Sequence, residues 1–443
     1  MTKTLKVFPQ TTPLRGAITV PGDKSVSHRA IILCSLANGT SHIKRWLPAG
    51  DPVSTLQIFR QMGVKIDVVE HSQTHWDLIV EGVGMHGLKP TDEPLDSRNA
   101  GTCIRLLAGV MAGQRFASVL DGSEQLRKRP MKRIADPLAQ MGANIKTTEG
   151  NAPIFIEPAE LKPFIYEMPV ASAQVKSCVL LAGMYTDGIT GVIQPGAARD
   201  HTERMLNAMG ADVRTENTEK GELITIRQIQ ELQAIDLTVP ADISSAAFPL
   251  VAAAIIPHSE ITVENCGQNE TRTGILDILE AMGAELTVTN PSSIGGESSG
   301  DLKISFSEMH GTQVGGSVVV RAIDEFPILA VALSQAAGVS SVRDAADLRV
   351  KEVDRISVLA GELRKMGVEM EEVADGFNIN GPVRLHGADV DSHDDHRLGM
   401  SLAIAALAAD SPTTIREANC IADSFPGFVE TMNALGARME WIE

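Results

Sequence analysis

A recurring helix ending is the feature that most restricts how this sequence can fold. Six helix-like stretches close on Met-Gly or Leu-Gly, and each is followed by a small apolar residue and a strand-like stretch. Glycine readily takes the left-handed conformation in which many helices end. The copies lie about 75 residues apart on average, so each marks a supersecondary unit that needs its neighbours to bury a core. The six endings are Met62-Gly63, Met141-Gly142, Met209-Gly210, Met282-Gly283, Met366-Gly367 and Leu435-Gly436.

The repeat also predicts the elements around each ending. An alternating strand, usually a turn, and a second strand should follow every glycine. The sixth copy stops at residues 441–443, before its second strand, so we expect residues 14–20 to supply that strand. Helix N-termini carry partial positive charge, and six of them facing one way would favour anions. The predicted helices begin near Asp51, Arg129, Asp200, Thr271, Glu352 and Asp423.

Composition narrows the range of functions. The formal net charge of −17 disfavours a nucleic-acid partner, because such partners need a broad basic face. The five cysteines have neither zinc-site nor redox spacing, so we expect reduced thiols. The N-terminus lacks an apolar signal core, and no apolar run is long enough to cross a membrane. The sequence therefore predicts a cytoplasmic protein of two or three domains without membrane or nucleic-acid partners.

Groups suited to anion binding cluster near predicted helix starts in the first half of the chain. Residues 23–29 (Asp-Lys-Ser-Val-Ser-His-Arg) should open a helix near Val26 with two cations and a hydroxyl close to its first turn. Residues 98–105 combine a small-residue turn with an arginine one helical turn onward. The basic run 127–133 contains a proline that we expect in the first turn of a helix. Residues 171–177 and 199–203 complete this set.

Carboxylates and cations alternate in the second half. Residues 322–327 (Ala-Ile-Asp-Glu-Phe-Pro) hold two acids between apolar neighbours, and we expect the proline to stop that segment. Lys351 and Arg355 are four positions apart, so they should share a helix face beside Glu352. Residues 394–397 (Asp-Asp-His-Arg) follow, and the arginine there argues against a metal. A carboxylate for proton transfer among cations suits an anionic substrate.

Taken together, these motifs resemble those of the 5-enolpyruvylshikimate-3-phosphate synthase family. PGDKS, NAGT, KRPM, SAQ, IDEFP, KEVDR and DDHR occur in the family's order and are jointly very specific. The resemblance implies an α/β (α+β) fold, a two-domain inside-out α/β barrel of six βαβαββ repeats, three per domain. It further implies that residues 22–241 form one domain and residues 1–21 plus 242–443 the other, with the active site in the cleft between them.

The same resemblance implies an activity. Family members transfer the enolpyruvyl group of phosphoenolpyruvate to the 5-hydroxyl of shikimate 3-phosphate, a step of aromatic amino-acid biosynthesis. These two small molecules are then the expected partners, glyphosate is an expected inhibitor, and a monomer is the expected state. No cofactor and no metal are implied, because placed acids, bases and cations are sufficient for this chemistry.

Roles for individual residues follow from the resemblance as well. Asp324 resembles the base for the attacking hydroxyl, Glu352 the acid for the methylene carbon, and Lys24 a catalytic group beside both substrates. The implied shikimate 3-phosphate ligands are Lys24, Ser25, Arg29, Ser172, Ala173, Gln174, Arg199, Asp324 and Lys351. The implied phosphoenolpyruvate ligands are Lys24, Gly101, Arg129, Gln174, Arg355 and Arg397.

Two departures and two alternative functions accompany this interpretation. Arg98 stands where family members usually have glycine, and Asp423 lies in a segment where many have lysine. One alternative is the enolpyruvyltransferase that acts on UDP-N-acetylglucosamine, which relies on a loop cysteine, whereas Cys103 lies at the Asn-Ala-Gly-Thr turn. The other is a catalytically silent phosphate-binding protein, which the intact Asp324, Glu352 and Lys24 disfavour.

Overall fold

The computed structural model of the protein describes residues 3–442. The strands of its first half are β1 Thr4–Val7, β2 Arg15–Ile18, β3 Ala37–Trp46, β4 Lys65–Glu70, β5 Trp76–Val83, β6 Leu95–Asp96, β7 Ser118–Asp121, β8 Asn144–Thr148, β9 Asn151–Glu157, β10 Ile165–Glu167, β11 Ile189–Gln194, β12 Val213–Thr218 and β13 Gly221–Arg227. Those of the second half are β14 Leu232–Gln233, β15 Leu237–Thr238, β16 Glu260–Gly267, β17 Glu285–Ile294, β18 Glu297–Ser305, β19 Gln313–Val314, β20 Gly338–Val342, β21 Met370–Val373, β22 Gly376–Gly381, β23 Asp389–Asp391, β24 Thr413–Arg416 and β25 Met439–Ile442.

Helices separate most of these strands. They are α1 Lys24–Leu36, α2 Gly50–Gln61, α3 Gly101–Ala112, α4 Glu124–Arg127, α5 Lys132–Gln140, α6 Ala173–Gly183, α7 His201–Ala208, α8 Ile243–Ile255, α9 Gly274–Ala281, α10 Ser317–Arg321, α11 Phe326–Gln335, α12 Arg355–Lys365, α13 His396–Leu407 and α14 Phe428–Ala434. Two 3₁₀ helices, Ala346–Val350 and Ala418–Asp423, lie among them. Within residues 3–442, no helix has the length and apolar character needed to cross a membrane.

The described residues divide into two compact units. The middle unit comprises Gly22–Val239 and Ser293–Glu297. The discontinuous unit comprises the chain up to Pro21, Pro240–Ser292 and the chain from Ser298 onward. Each unit has its own cluster of buried hydrophobic residues.

Every sheet follows one plan. The middle unit contains the sheets β14-β3-β5-β4 (with β15 also on β3), β6-β7-β9-β8 and β10-β11-β13-β12. The discontinuous unit contains β17-β18-β16-β2, β19-β20-β22-β21 and β23-β24-β1-β25. In each sheet a short strand runs parallel to its neighbour, and that neighbour runs antiparallel to the next strand. Six copies of one unit therefore build the described chain.

The predicted helix endings are confirmed in all six copies. The glycines after α2, α5, α7, α9, α12 and α14 have φ between 88° and 100°, the left-handed region that disfavours other residues. The helix starts are less accurate, because the chain makes a further turn before some helices begin. The predicted start near Asp423, for instance, falls at the end of a 3₁₀ helix, and α14 begins five residues later, at Phe428.

The strand that completes the sixth sheet differs from the prediction. Residues 14–20 do not supply it, since β2 pairs in parallel with β16 in another sheet. Instead β1 lies between β24 and β25 and runs antiparallel to both. Alternate residues of β1, Leu5 and Val7, are fully buried, which fixes the register of the strand.

Buried helices form the centre of each unit. All thirteen residues of α8 are buried, and α8, α11 and α13 contact one another in the discontinuous unit. In the middle unit α3 contacts both α1 and α6. The contact with α6 is close, because a Cβ at Gly109 would lie 2.2 Å from the carbonyl oxygen of Cys178. Helices that are apolar all round need this placement, and it leaves their N-terminal turns to carry the polar side chains of the candidate site.

Candidate active site

The N-terminus of α1 presents the first group of candidate residues. Asp23 caps the helix by accepting a 2.9 Å hydrogen bond from the amide of Val26, an arrangement typical of N-caps. Lys24 is the first residue of the helix, and its Nζ lies 3.0 Å from Oδ2 of Asp51. The helix dipole and the ammonium group both favour an anion at this helix start, and Asp51 partly compensates the charge of Lys24.

Arg29, one turn further along α1, is a buried cation. Its Nε donates to Oγ1 of Thr202 at 2.7 Å, and its Nη2 donates to Oγ of Ser177 at 3.0 Å. Its Nη1 donates to the carbonyl oxygen of Ser25 at 3.0 Å. Burial lowers the pKa of Arg29 to about 10, although nearby Glu203 opposes that shift. The guanidinium is thus held by neutral oxygens in a site with little solvent, which suits an anionic ligand.

Arg105 connects three candidate phosphoenolpyruvate ligands. Its Nη1 donates to Oε1 of Gln174 at 2.7 Å, and its Nη2 donates to the carbonyl oxygen of Pro130 at 3.2 Å. The same Nη1 would lie 3.0 Å from a Cβ added to Gly101, as would Nη1 of Arg129. Arg105 therefore links the start of α3, the start of α6 and the segment that carries Arg129.

The remaining candidates of the middle unit lie on α6 and before α7. Ser172 caps α6 by accepting from the amide of Val175 at 3.5 Å, and Ala173 is the first helical residue. Arg199 lies in the loop between β11 and α7, near enough to Arg29 to lower the pKa of that guanidinium. These positions agree with residues 171–177 and 199–203 as helix openings.

Asp324 is the centre of the candidate residues in the discontinuous unit. Its carboxylate lies 3.5 Å from Nη1 of Arg355, 3.8 Å from Nη2 of Arg397 and 4.0 Å from Nζ of Lys351. The side chain is only 17% exposed. A carboxylate in such a position is a candidate for accepting a proton from a bound substrate.

Arg355 connects Asp324 to the second candidate acid. Its Nη2 lies 2.7 Å from Oε2 of Glu352, and its Nε lies 2.8 Å from Oδ2 of the buried Asp395. Burial alone would lower the pKa of Arg355, but Asp395, Glu352 and Asp324 outweigh it and the pKa rises. Arg397, in the first turn of α13, also approaches Oε1 of Glu325 at 3.8 Å.

Two local predictions around these residues are wrong. Lys351 and Arg355 do not share a helix face, because Asp354 caps α12 through the amides of Ile356 and Ser357, and the helix begins only at Arg355. Pro327 opens α11 rather than stopping the segment, since its fixed φ suits a first turn.

Pro130 likewise lies outside the helix where it was expected. The helix α5 begins two residues later, at Lys132. The carbonyl oxygen of Pro130 instead accepts from Arg105.

Sequence reasoning missed several residues that hold these groups in place. Thr202, Ser177 and Asp395 lie within quoted motifs, but nothing local indicated that they contact Arg29 or Arg355. The capping position of Asp395, which accepts from the amide of Arg397 at 2.9 Å, was the one available signal. Asp51 gave none.

Arg98 and the cysteines bear on the departures and the alternatives. Arg98 has a φ of 49°, a conformation that glycine takes more easily, and its exposed side chain donates to Oε1 of Gln57 at 3.2 Å. All five cysteines are buried. Burial raises the pKa of Cys103 to about 11, so this thiol is poorly suited to the nucleophilic or acid role of a loop cysteine.

Comparison with known families decides the relationship. The family model described as EPSP synthase (3-phosphoshikimate 1-carboxyvinyltransferase) matches residues 9–432. The chain belongs to the EPSP synthase family. A relative from Thermodesulfovibrio yellowstonii, named 3-phosphoshikimate 1-carboxyvinyltransferase, is 46% identical over 97% of this chain and 99% of its own length. One from Synechococcus with the same name is 48% identical over 95% of this chain and 97% of its own length.

Solved structures of the EPSP synthase family also resemble the chain. A structure of EPSP synthase from Acinetobacter baumannii is similar with a TM-score of 0.89 at 43% sequence identity, and the match covers 100% of both chains. A second structure of EPSP synthase from that organism matches with a TM-score of 0.88 and 42% identity, over 99% of this chain and 100% of the other. The predicted family and fold class are therefore confirmed.

Proposed function

We propose that this protein transfers the enolpyruvyl group of phosphoenolpyruvate to the 5-hydroxyl of shikimate 3-phosphate and releases phosphate. The observation that carries the proposal is the position of Asp324, within 4.0 Å of three cations, one of which also pairs with Glu352. This is the acid, base and cation set that the reaction needs. Family membership supplies the identity of the substrates.

The proposed chemistry assigns one proton transfer to each acid. Glu352 protonates the methylene carbon of phosphoenolpyruvate, which leaves C2 cationic, and the 5-hydroxyl adds there while Asp324 accepts its proton. The tetrahedral adduct then loses a methyl proton to the Glu352 carboxylate and expels phosphate, which takes up the proton from Asp324. The cations stabilise the negative charge of the carboxylate and phosphate groups throughout.

The proposed binding residues are those implied by the sequence. For shikimate 3-phosphate they are Lys24, Ser25, Arg29, Ser172, Ala173, Gln174, Arg199, Asp324 and Lys351, and for phosphoenolpyruvate they are Lys24, Gly101, Arg129, Gln174, Arg355 and Arg397. Hydrogen bonds that already hold Arg29 and Gln174 support this assignment, because pre-positioned groups lose little entropy on binding. We also propose that residues 22–241 form one domain and residues 1–21 plus 242–443 the other. Each of these domains would then supply residues to the reaction.

Finer attributes belong to the proposal as well. We expect a cytoplasmic monomer that glyphosate inhibits by competing with phosphoenolpyruvate. Lys24 would act catalytically beside both substrates, since it lies at the start of α1 with its ammonium group near Asp51.

A phosphate-release assay with both substrates tests the proposal. Release of phosphate should require shikimate 3-phosphate and phosphoenolpyruvate together. Release with UDP-N-acetylglucosamine in place of shikimate 3-phosphate would favour the related transferase instead. Binding of shikimate 3-phosphate without any phosphate release would indicate a silent binding protein and would contradict the proposed activity.

A further inference from the structure

Two buried charged residues of the middle unit form an ion pair next to the loop that carries Arg199. Lys176 is in the first turn of α6 and Glu203 is in the first turn of α7. Nζ of Lys176 lies 2.6 Å from Oε1 of Glu203, and the side chains are only 1% and 9% exposed. A buried ion pair is costly to form, so it is weak evidence for stability and invites another explanation.

Lys176 also contacts the backbone of that loop. Its Nζ donates to the carbonyl oxygen of Ala198 at 3.2 Å. This carbonyl belongs to the peptide group that joins Ala198 to Arg199, and a peptide group is planar. The hydrogen bond therefore restrains the orientation of the peptide group from which the backbone of Arg199 continues.

A second connection joins the residue after Lys176 on α6 to the residue before Glu203 on α7. Oγ of Ser177 and Oγ1 of Thr202 are 2.7 Å apart, and both oxygens accept from Arg29. The helices α6 and α7 are thus joined by an ionic pair and, beside it, by a hydroxyl pair that holds Arg29.

Glu203 also acts on the charge of Arg29. The direct hydrogen-bond partners of Arg29 are neutral oxygens, so its compensation must come from carboxylates at longer range. Among the groups that oppose the effect of burial on its pKa, Glu203 is the strongest. One carboxylate therefore compensates both Lys176 and Arg29.

We propose that Lys176 and Glu203 are positioning residues for Arg29 and Arg199, the arginines assigned to shikimate 3-phosphate. Lys176 orients the peptide group that precedes Arg199, and Glu203 holds Lys176 in place and compensates the charge of Arg29 without contacting the ligand. This inference rests on the proposed function, which assigns Arg29 and Arg199 to shikimate 3-phosphate.

Neutralising Glu203 distinguishes two roles for this residue, because they predict opposite changes in the affinity for an anionic ligand. If Glu203 acted only through its electrostatic field, its neutralisation would make the site more positive and would tighten the binding of an anion. If it positions the two cations, neutralisation leaves Lys176 without its charge partner, the contact with Ala198 is lost, and binding weakens.

The test uses the full chain with Glu203→Gln, Lys176→Met and Lys176→Arg. We expect Glu203→Gln and Lys176→Met to raise the KM for shikimate 3-phosphate and its calorimetric Kd by at least about tenfold. The KM for phosphoenolpyruvate and kcat at saturation should stay within about twofold. Lys176→Arg keeps a charged donor and should restore most of the affinity.

Controls separate positioning from general damage. Lys220→Met removes the lysine of an exposed pair in the same unit, in which Nζ lies 2.7 Å from Oε2 of Glu167, and should leave both constants unchanged. Unchanged or tighter binding in Glu203→Gln would overturn the proposal. So would an equal loss for both substrates in the three variants at Lys176 and Glu203, because that pattern indicates a purely structural role.

Calorimetry measures binding independently of turnover, so it tests this inference separately from the proposed enzymatic activity. Wild-type protein that binds shikimate 3-phosphate but does not turn it over would contradict the enzymatic proposal only. The variants would still report on how shikimate 3-phosphate is held. Wild-type protein that does not bind shikimate 3-phosphate would overturn both.

Discussion

Asp324 is the residue on which the proposed chemistry depends most directly. We expect Asp324→Asn to lower kcat by at least about 10²-fold, because a positioned general base contributes roughly 10²–10⁴-fold. The amide preserves the shape of the side chain, so shikimate 3-phosphate should still bind. Steady-state kinetics and calorimetry measure these two effects separately.

Asp347 offers a control for Asp324. It also pairs with Lys351, at 2.7 Å, but its side chain is 46% exposed. Asp347→Asn should therefore change kcat by no more than about threefold, since exposed pairs contribute little. Turnover near wild type in Asp324→Asn would remove Asp324 from the mechanism.

Gly101 provides a residue-scale test of inhibitor binding. A methyl group there would lie 3.0 Å from the guanidinium nitrogens of Arg105 and Arg129, a distance that forces both to move. Gly101→Ala should weaken glyphosate inhibition by at least about tenfold and raise the KM for phosphoenolpyruvate by less. Inhibition assays at several phosphoenolpyruvate concentrations measure both constants.

The KM for shikimate 3-phosphate serves as the internal control for this substitution. It should stay within about twofold, because the added methyl group faces the two arginines rather than Arg29. An enzyme that is indifferent to millimolar glyphosate before the substitution would contradict the prediction.

At the residue scale, the sequence predicted chemical groups better than their partners. The family-like motifs identified Arg29, Asp324 and Arg355 as candidates. The sequence did not predict that Thr202 holds Arg29 or that Asp395 holds Arg355, since those partners lie 173 and 40 positions away. Contacts over such separations depend on the tertiary fold, which local patterns do not encode.

At the scale of secondary-structure elements, the glycine after each helix is the feature with the clearest energetic consequence. Gly436 follows α14 with a φ of 100°, and a Cβ there would find its nearest neighbour 3.8 Å away. Gly436→Ala should therefore destabilise through backbone strain alone, by about 1–2 kcal/mol. Urea unfolding measures this as a lower midpoint.

Gly361 makes a matched control within the same unit. It lies inside α12, and a Cβ there would meet nothing within 4 Å. Gly361→Ala should raise the stability by about 0.5–1 kcal/mol, because alanine loses less entropy in a helix. The two substitutions add the same methyl group and should shift the midpoint in opposite directions. Shifts of the same sign would show that φ is not the cause.

Secondary-structure elements were predictable where a conformation strongly favours one residue type. Glycine at a helix end is such a case, and all six endings were found. Helix starts were harder, because several capping residues compete, as Glu352 and Asp354 do before α12. The strand β1 was missed, since four residues with two apolar positions carry too little pattern to be told from a loop.

At the scale of the whole molecule, the two hydrophobic clusters predict local rather than global effects of core substitutions. Leu180 in the middle unit and Leu402 in the discontinuous unit are both fully buried. Replacing either with alanine should cost about 2–5 kcal/mol. Hydrogen exchange should show lost protection mainly within Gly22–Val239 for Leu180→Ala and mainly outside it for Leu402→Ala.

Each variant of this pair is the control for the other. Structural elements that open together usually coincide with compact units. Protection lost evenly across the chain in both variants would mean that the protein unfolds as one cooperative body.

The central place of β1 in its sheet has a consequence for how the chain is made. Its partners, Thr413–Arg416 and Met439–Ile442, leave the ribosome roughly 400 residues later, which takes about 20–80 s at common elongation rates of about 5–20 residues per second. During that time Gly22–Val239 emerges in full and can close its own hydrophobic cluster. The strand β1 is therefore made long before either of its partners, and until they emerge it is an unpaired strand exposed to other chains.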